Sequence, residues 1–280
     1  MNAGLARLSL NQATTQRWGV KEAAEGCARA GVAAIGLWRE KVAAYGLKAS
    51  AELVRELGLS VSSLCRGGFF PAATAAGRRA NLDENRRAIE EAAALGTDIL
   101  VLVCGGLPEG GGRDLASARQ MVADGIAELI PFAAEHGVKL GIEPLHPMFA
   151  GDRSVIVSLG QANDLAESLG AESLGAQQVG VVIDVYHVWW DPQVYREIAR
   201  AAPYTLGFHV NDWLAPPPDV LMGRGMMGDG VIELRRLRRA VDEAGYTGPI
   251  EVEIFNRDLW DLPGDEVLAL TKARFAEHVF

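Results

Sequence analysis

Short runs of apolar residues alternate with longer amphipathic segments along the whole chain. The runs predict β-strands at Leu5 to Leu10, Ala33 to Trp38, Val61 to Leu64, Ile99 to Val103, Lys139 to Glu143, Val179 to Asp184, Thr205 to Val210 and Ile250 to Ile254. Helical periodicity marks Lys21 to Ala30, Ala51 to Leu57, Asp83 to Leu95, Leu115 to His136, Leu159 to Leu169, Gln193 to Ala201, Ile232 to Ala244 and Asp265 to His278. Runs that are apolar at every position belong to strands covered on both faces, and helix-length crossovers imply parallel pairing. Eight such βα units close most economically as one (β/α)8 barrel, a single domain over residues 1–280 of the α/β class. A doubly wound open sheet is the rival, but it would carry a glycine-rich turn after its first strand, where this chain reads NQATTQ.

Glycine punctuation supports the barrel reading. Gly31, Gly58, Gly96, Gly137 and Gly245 each follow a predicted helix and precede a strand, where a left-handed C-cap belongs. Two irregularities stand out. AESLG occurs twice in succession from Ala166 to Gly175, lengthening the turn before the sixth strand, and a long stretch from Trp213 to Val231 contains Pro216, Pro217 and Pro218 among several glycines. On a barrel, the second would be a loop over the catalytic rim.

Composition narrows the partners. With 280 residues and 49% hydrophobic content, the chain can bury one large core without staples. Its formal charge of −9 argues against nucleic acid, whose binding depends on Lys and Arg displacing counterions. No apolar stretch approaches the ~20 residues that span a bilayer. The start, MNAGLARLSLNQ, lacks the pattern of a secretory leader, so no membrane partner and a cytoplasmic location are expected. Cys27, Cys65 and Cys104 have no metal or disulfide spacing and are expected to be free thiols.

The chemistry is concentrated at strand ends. Glu143, Asp184, His209 and Glu253 lie at the downstream ends of KLGIE, VGVVID, TLGFH and PIEVE, on four successive strands. A parallel barrel aims such positions at one point above its C-terminal rim. Carboxylates with an imidazole there suit one divalent cation such as Mn, Mg, Co or Zn. His146, in EPLHP, is also near the rim, either supporting Glu143 or touching a substrate. Trp38, Trp189, Trp190 and Trp213 flank strand ends, where a flat apolar face can line a pocket or wall off water. The run CGGLPEGGG from Cys104 to Gly112 lacks the spacing and lysine of a phosphate loop and reads as a rim loop. His136 and His278 fall at a helix cap and in the last helix, and are expected in solvent.

GIEPLHP, VVIDVYH, FHVND and IEVEIF, in this order on the last four strands, resemble the sugar phosphate isomerase/epimerase group of the xylose isomerase-like TIM barrels. That superfamily includes ketose 3-epimerases, hydroxypyruvate isomerases, inosose dehydratases and endonuclease IV. The resemblance implies a small-molecule sugar substrate and one divalent metal ion, manganese foremost, held by Glu143, Asp184, His209 and Glu253. It implies that Glu143 and Glu253 also act as an acid/base pair through an enediolate, and that His187, three residues after Asp184 in the D-x-x-H pattern, bonds a substrate oxygen. Arg224 stands where relatives carry a substrate-binding arginine, and Trp38 and Trp213 complete the expected substrate wall. Relatives often form dimers or tetramers, so a homo-oligomer is compatible. A dehydratase would use the same site. An endonuclease IV-like nuclease would need further histidines at the ends of strands two and three, where the chain reads LWRE and LCRGG.

Overall fold

In the computed structural model, which describes residues 3–172 and 178–280, eight parallel strands close into a barrel in strict sequence order. They are β1 (Leu8–Asn11), β2 (Ala34–Trp38), β3 (Ser60–Gly68), β4 (Ile99–Val103), β5 (Lys139–Glu143), β6 (Val179–Asp184), β7 (Thr205–Val210) and β8 (Ile250–Val252). The ring is completed by pairing of β1 with β8, Leu10 opposite Val252. The expected closed (β/α)8 architecture is therefore what the chain adopts. The second AESLG copy runs past residue 172, outside the described residues. No helix among the described residues is long and apolar enough to cross a membrane.

The periodicity of the sequence explains most of these elements, and local chemistry fixes their ends. All five glycine stops are left-handed: Gly31, Gly58, Gly96, Gly137 and Gly245 have φ between 67° and 93°. Thr74 and Asp114 cap the helices Ala75–Leu95 and Leu115–Glu135 by accepting backbone N–H bonds in the first turn. The main core lies between barrel and helices, joining Leu10, Ile35, Leu100, Leu140, Ile183 and Phe208 to Ile89, Ile126, Leu159 and Phe275. A smaller cluster of Cys65, Val101 and Val182 fills the barrel interior beneath Trp38. Cys27, Cys65 and Cys104 are buried free thiols, as expected.

Three departures from the sequence reading have physical causes. The helix Arg39–Tyr45 escapes the pattern because Val42 is its sole buried residue. Tertiary bonds hold it: Arg39 bridges Glu84 at 2.8 Å and Glu91, while Lys41 donates to the carbonyls of Gln16 and Trp18. The helix expected from Asp83 begins at Ala75, the Thr74 cap offsetting a weakly apolar first turn. β3 continues past Leu64 through Cys65-Arg66-Gly67-Gly68, a poor strand sequence by propensity. Asn85 completes it from the adjacent helix, accepting from Gly68 N at 2.6 Å and donating to Gly68 O at 2.7 Å.

Gly68 has φ 106°, and a Cβ there would lie 1.9 Å from Val103 O. Gly68→Ala should therefore destabilise the barrel by about 3 kcal/mol in urea unfolding, through strain and overlap with backbone that cannot yield. An unchanged midpoint would contradict this.

Candidate active site

The four strand-end residues converge. Glu143 ends β5, Asp184 ends β6, His209 lies in β7 opposite Asp184, and Glu253 follows β8 with its N–H still bonded to Val210 O at 3.2 Å. One donor atom from each lies within 4.8 Å of the others, and all four residues are at most 5% exposed. His209 Nδ1 is 3.5 Å from Glu143 Oε1 and 3.8 Å from Glu253 Oε2. Glu143 Oε1 and both ring nitrogens of His209 are buried without a hydrogen bond. Unpartnered carboxylate and imidazole atoms aimed at one another are costly unless a cation joins them, so the donor set fits a divalent metal ion.

The electrostatics carry the same signature. Burial and the neighbouring Glu253 carboxylate push Glu143 up to about 8, against the pull of His209 and Arg224. Burial disfavours a charged His209, but Glu251, Glu253 and Glu143 outweigh it and raise the imidazole to about 10. Asp184 falls below the usual carboxylate range because Arg224 and the two nearby histidines overcome its burial. Arg224, itself 4% exposed, bonds Asp184 Oδ2 at 2.7 Å and Glu253 Oε2 at 3.2 Å through Nη1. Its guanidinium lies between the rings of Tyr186 and Phe255, 4.5 and 4.8 Å from their centroids.

Further polar residues support the cluster that the motif reading passed over. His209 Nε2 is 3.7 Å from Glu251 Oε2, and Glu251 accepts from Asn11 Nδ2 at 2.9 Å. Asn11 in turn accepts from Trp38 Nε1 at 2.7 Å. A carboxylate behind the far nitrogen of a ligating histidine fixes ring orientation and basicity. Gly36 leaves room for it, since a Cβ there would lie 2.2 Å from Glu251 Oε2. Asn211 donates to Asp184 Oδ1 at 2.9 Å and to Glu253 O at 3.1 Å. Asp212 accepts from the N–H groups of Gly228, Gly230, Trp213 and Ile232, fastening the long loop that delivers Arg224. A signal for these residues existed: Asn11 ends its strand as Glu143 does, and Glu251 is one period-2 step before Glu253.

A cavity of about 230 Å³ opens onto the cluster, with Glu143, Glu253, His187, Arg224 and Trp38 on its wall. His187 Nδ1 accepts from the His146 backbone N–H at 3.1 Å, and its Nε2 lies 3.3 Å from Arg224 Nη2 and 3.8 Å from Asp184 Oδ2. Burial depresses His187 to about 3, so the ring is neutral. His146 and Trp213 are not on this wall. They stack on each other at 5.2 Å, and Tyr186 joins Trp213 at 4.8 Å. The reason is local: the short helix Val185–Val188 puts His187 on the wall and packs the following tryptophans behind it. His136 and His278, expected in solvent, are half-buried, with His136 Nδ1 2.8 Å from Phe132 O and His278 Nε2 3.1 Å from Arg274.

With the geometry in place, the chain belongs to the xylose isomerase-like TIM barrel family, whose model matches residues 24–276. It is similar to protein SMc04130 from Sinorhizobium meliloti 1021, with 50% identity over 98% of both chains and a TM-score of 0.94. The IOLI protein, solved with a bound zinc atom, shares the fold at 21% identity and a TM-score of 0.84 over 98% of each chain. A curated relative, the inosose isomerase of Halalkalibacterium halodurans, is 25% identical over 158 residues, 55% of this chain. The match spans about half the length of that relative, 52%.

Entry of a divalent ion should displace protons, because His209 near 10 and Glu143 near 8 hold theirs at neutral pH and must lose them to become donors. Titration calorimetry with Mn²⁺ in buffers of different ionisation enthalpy should show about one proton or more released per ion, and affinity rising from about pH 6 to 8. A heat independent of buffer would contradict the proton inventory.

Proposed function

We propose that this chain is a divalent-metal-dependent isomerase or epimerase acting on a ketose or keto-sugar, phosphorylated or free, through an enediolate. The observation that carries the reading is the convergence of two glutamates, an aspartate and a histidine at one point, with both glutamates on the wall of a cavity. Glu143, Asp184, His209 and Glu253 would hold the ion, manganese by preference, with magnesium, cobalt or zinc suited to the same donors. When bound, the ion supplies positive charge against the negative charge that develops on the substrate oxygens.

The residues then divide the work. A proton beside a carbonyl is a weak acid, and a positioned carboxylate is needed to remove it. Glu143 or Glu253 takes that proton, and the other returns one. Using both at one carbon gives epimerisation, whereas returning the proton to the neighbouring carbon gives isomerisation. His187 hydrogen-bonds a substrate oxygen. Arg224 holds Asp184 and Glu253 at fixed separation. Trp38, Leu145, Phe149 and Phe255 wall the cavity with apolar surface that keeps water from the enediolate. The His146 backbone N–H positions the His187 ring. Similarity to a relative named inosose isomerase supports isomerisation over the alternative, a dehydratase that abstracts the same proton and expels a β-hydroxyl.

Proton NMR in deuterated water, with metal-loaded protein and a panel of ketoses, keto-inositols and their phosphates, tests this directly. Deuterium should enter at a carbon beside the carbonyl, and Glu143→Gln and Glu253→Gln should each slow entry by roughly 10²- to 10⁴-fold. The product distinguishes epimer, isomer and dehydrated sugar. Absence of exchange with every panel member, or exchange at the wild-type rate in both variants, would overturn the proposal.

A further inference from the structure

The cavity wall also carries two arginines that the chemistry above does not use, Arg66 and Arg153. Arg66 sits where β3 shifts register between Cys65 and Gly67, an irregularity of the kind that re-aims a side chain. The kink is built rather than loose. Asn85 bonds both backbone groups of Gly68, and a Cβ on Gly67 would lie 2.7 Å from Asn85 Oδ1. Arg153 is fixed through its backbone: its carbonyl accepts from Gly105 N at 2.9 Å, and the next backbone bond on this bridge runs from Val155 N to Gly105 O at 2.9 Å. Gly105 and Gly106 allow this approach, since a Cβ on Gly106 would lie 2.5 Å from the Asp152 carbonyl carbon. The CGGLPEGGG run thus begins as a tether for Arg153.

Neither guanidinium is neutralised inside the cavity. Arg66 lies over the Phe69 ring at 4.3 Å, has no ion-pair partner among the described residues, and its Nη1 is buried without a hydrogen bond. Arg153 faces the Phe149 ring at 5.8 Å, and its carboxylate neighbour is the solvent-exposed Asp152 at 4.0 Å. Burial and the positive charge of Arg153 lower the Arg66 pKa more than Cys65, Glu40 and Glu143 raise it, so the two cations oppose each other. Arg224, by contrast, is paired with both Asp184 and Glu253 through Nη1. Two preset, like-charged forks on one small cavity are unfavourable in isolation and complementary to a planar or tetrahedral anion.

We infer that Arg66 and Arg153 form an anion subsite, and that the substrate carries a carboxylate or phosphate there while its carbonyl end lies against Glu143 and Glu253. Which end reacts rests on the enediolate proposal, whereas the anion subsite stands on the two arginines alone. The charged group anchors the sugar and sets which carbon faces the glutamates.

Titration calorimetry with D-fructose, D-fructose 6-phosphate and D-fructuronate tests the subsite without requiring turnover, with inorganic phosphate as a fourth probe. At least one anionic sugar should bind about tenfold or more tightly than D-fructose. The tighter of the two identifies phosphate or carboxylate as the anchor. In Arg66→Gln and Arg153→Gln the preference should fall about tenfold, and in the double variant it should approach unity. Both variants should unfold at or above the wild-type midpoint, because an unfavourable like-charge pair is removed. Anionic sugars that bind no more tightly than D-fructose, together with failure of inorganic phosphate to bind, would overturn the inference, as would a preference that survives in the double variant. Preferential binding without deuterium exchange would keep the subsite and remove the enediolate proposal.

Discussion

Three carboxylates and an imidazole buried at one point are the constraint on which the upper barrel is built. In water each group would be solvated separately; within 4.8 Å of one another and almost wholly buried, their charges must be compensated locally. Arg224 supplies part of that compensation to Asp184 and Glu253, and Glu143 and His209 respond by holding protons. A divalent cation held there would replace those protons with a single compensating charge. The unpartnered Glu143 and His209 atoms and the raised Glu143 have one cause, repulsion and desolvation concentrated at the rim of a low-dielectric core.

Holding such a cluster requires support from beneath and above. Beneath, Glu251 faces His209 and is tied through Asn11 to Trp38, so one polar chain links the cluster to the cavity wall across β8, β1 and β2. Gly36 is the opening in β2 that this carboxylate occupies. Above, the carboxylate of Asp212 gathers four backbone N–H groups and converts a proline- and glycine-rich excursion into a defined strap. Arg224 reaches the cluster from that strap, its carbonyl fixed by Asn256 Nδ2 at 2.8 Å. The glycines of the β3 kink and of the β4 exit serve a comparable purpose, bringing backbones close enough to fix Arg66 and Arg153 on the opposite wall.

The barrel was legible in the sequence because its strands are uninterrupted apolar runs and its helix stops carry glycine, signals that depend on neighbours along the chain. β5, β6 and β7 match their predicted limits residue for residue for the same reason. Elements stabilised by distant partners were not legible: the helix Arg39–Tyr45 depends on Glu84 and Glu91, and the extension of β3 depends on Asn85. The convergence of Glu143, Asp184, His209 and Glu253 followed from strand-end position alone. Glu251, Asn11 and Arg66 obeyed comparable positional rules but lacked a motif that singled them out. The displacement of His146 and Trp213 from the cavity wall depends on how a single helical turn packs its rings, which spacing does not encode.

The central claim, that one cation joins these four side chains, is tested most directly by anomalous diffraction from crystals grown with Mn²⁺ and measured on both sides of the manganese absorption edge. The account predicts a single strong anomalous peak within coordination distance of Glu143, Asp184, His209 and Glu253. A peak elsewhere, or none at this cluster in crystals shown to contain manganese, would contradict it.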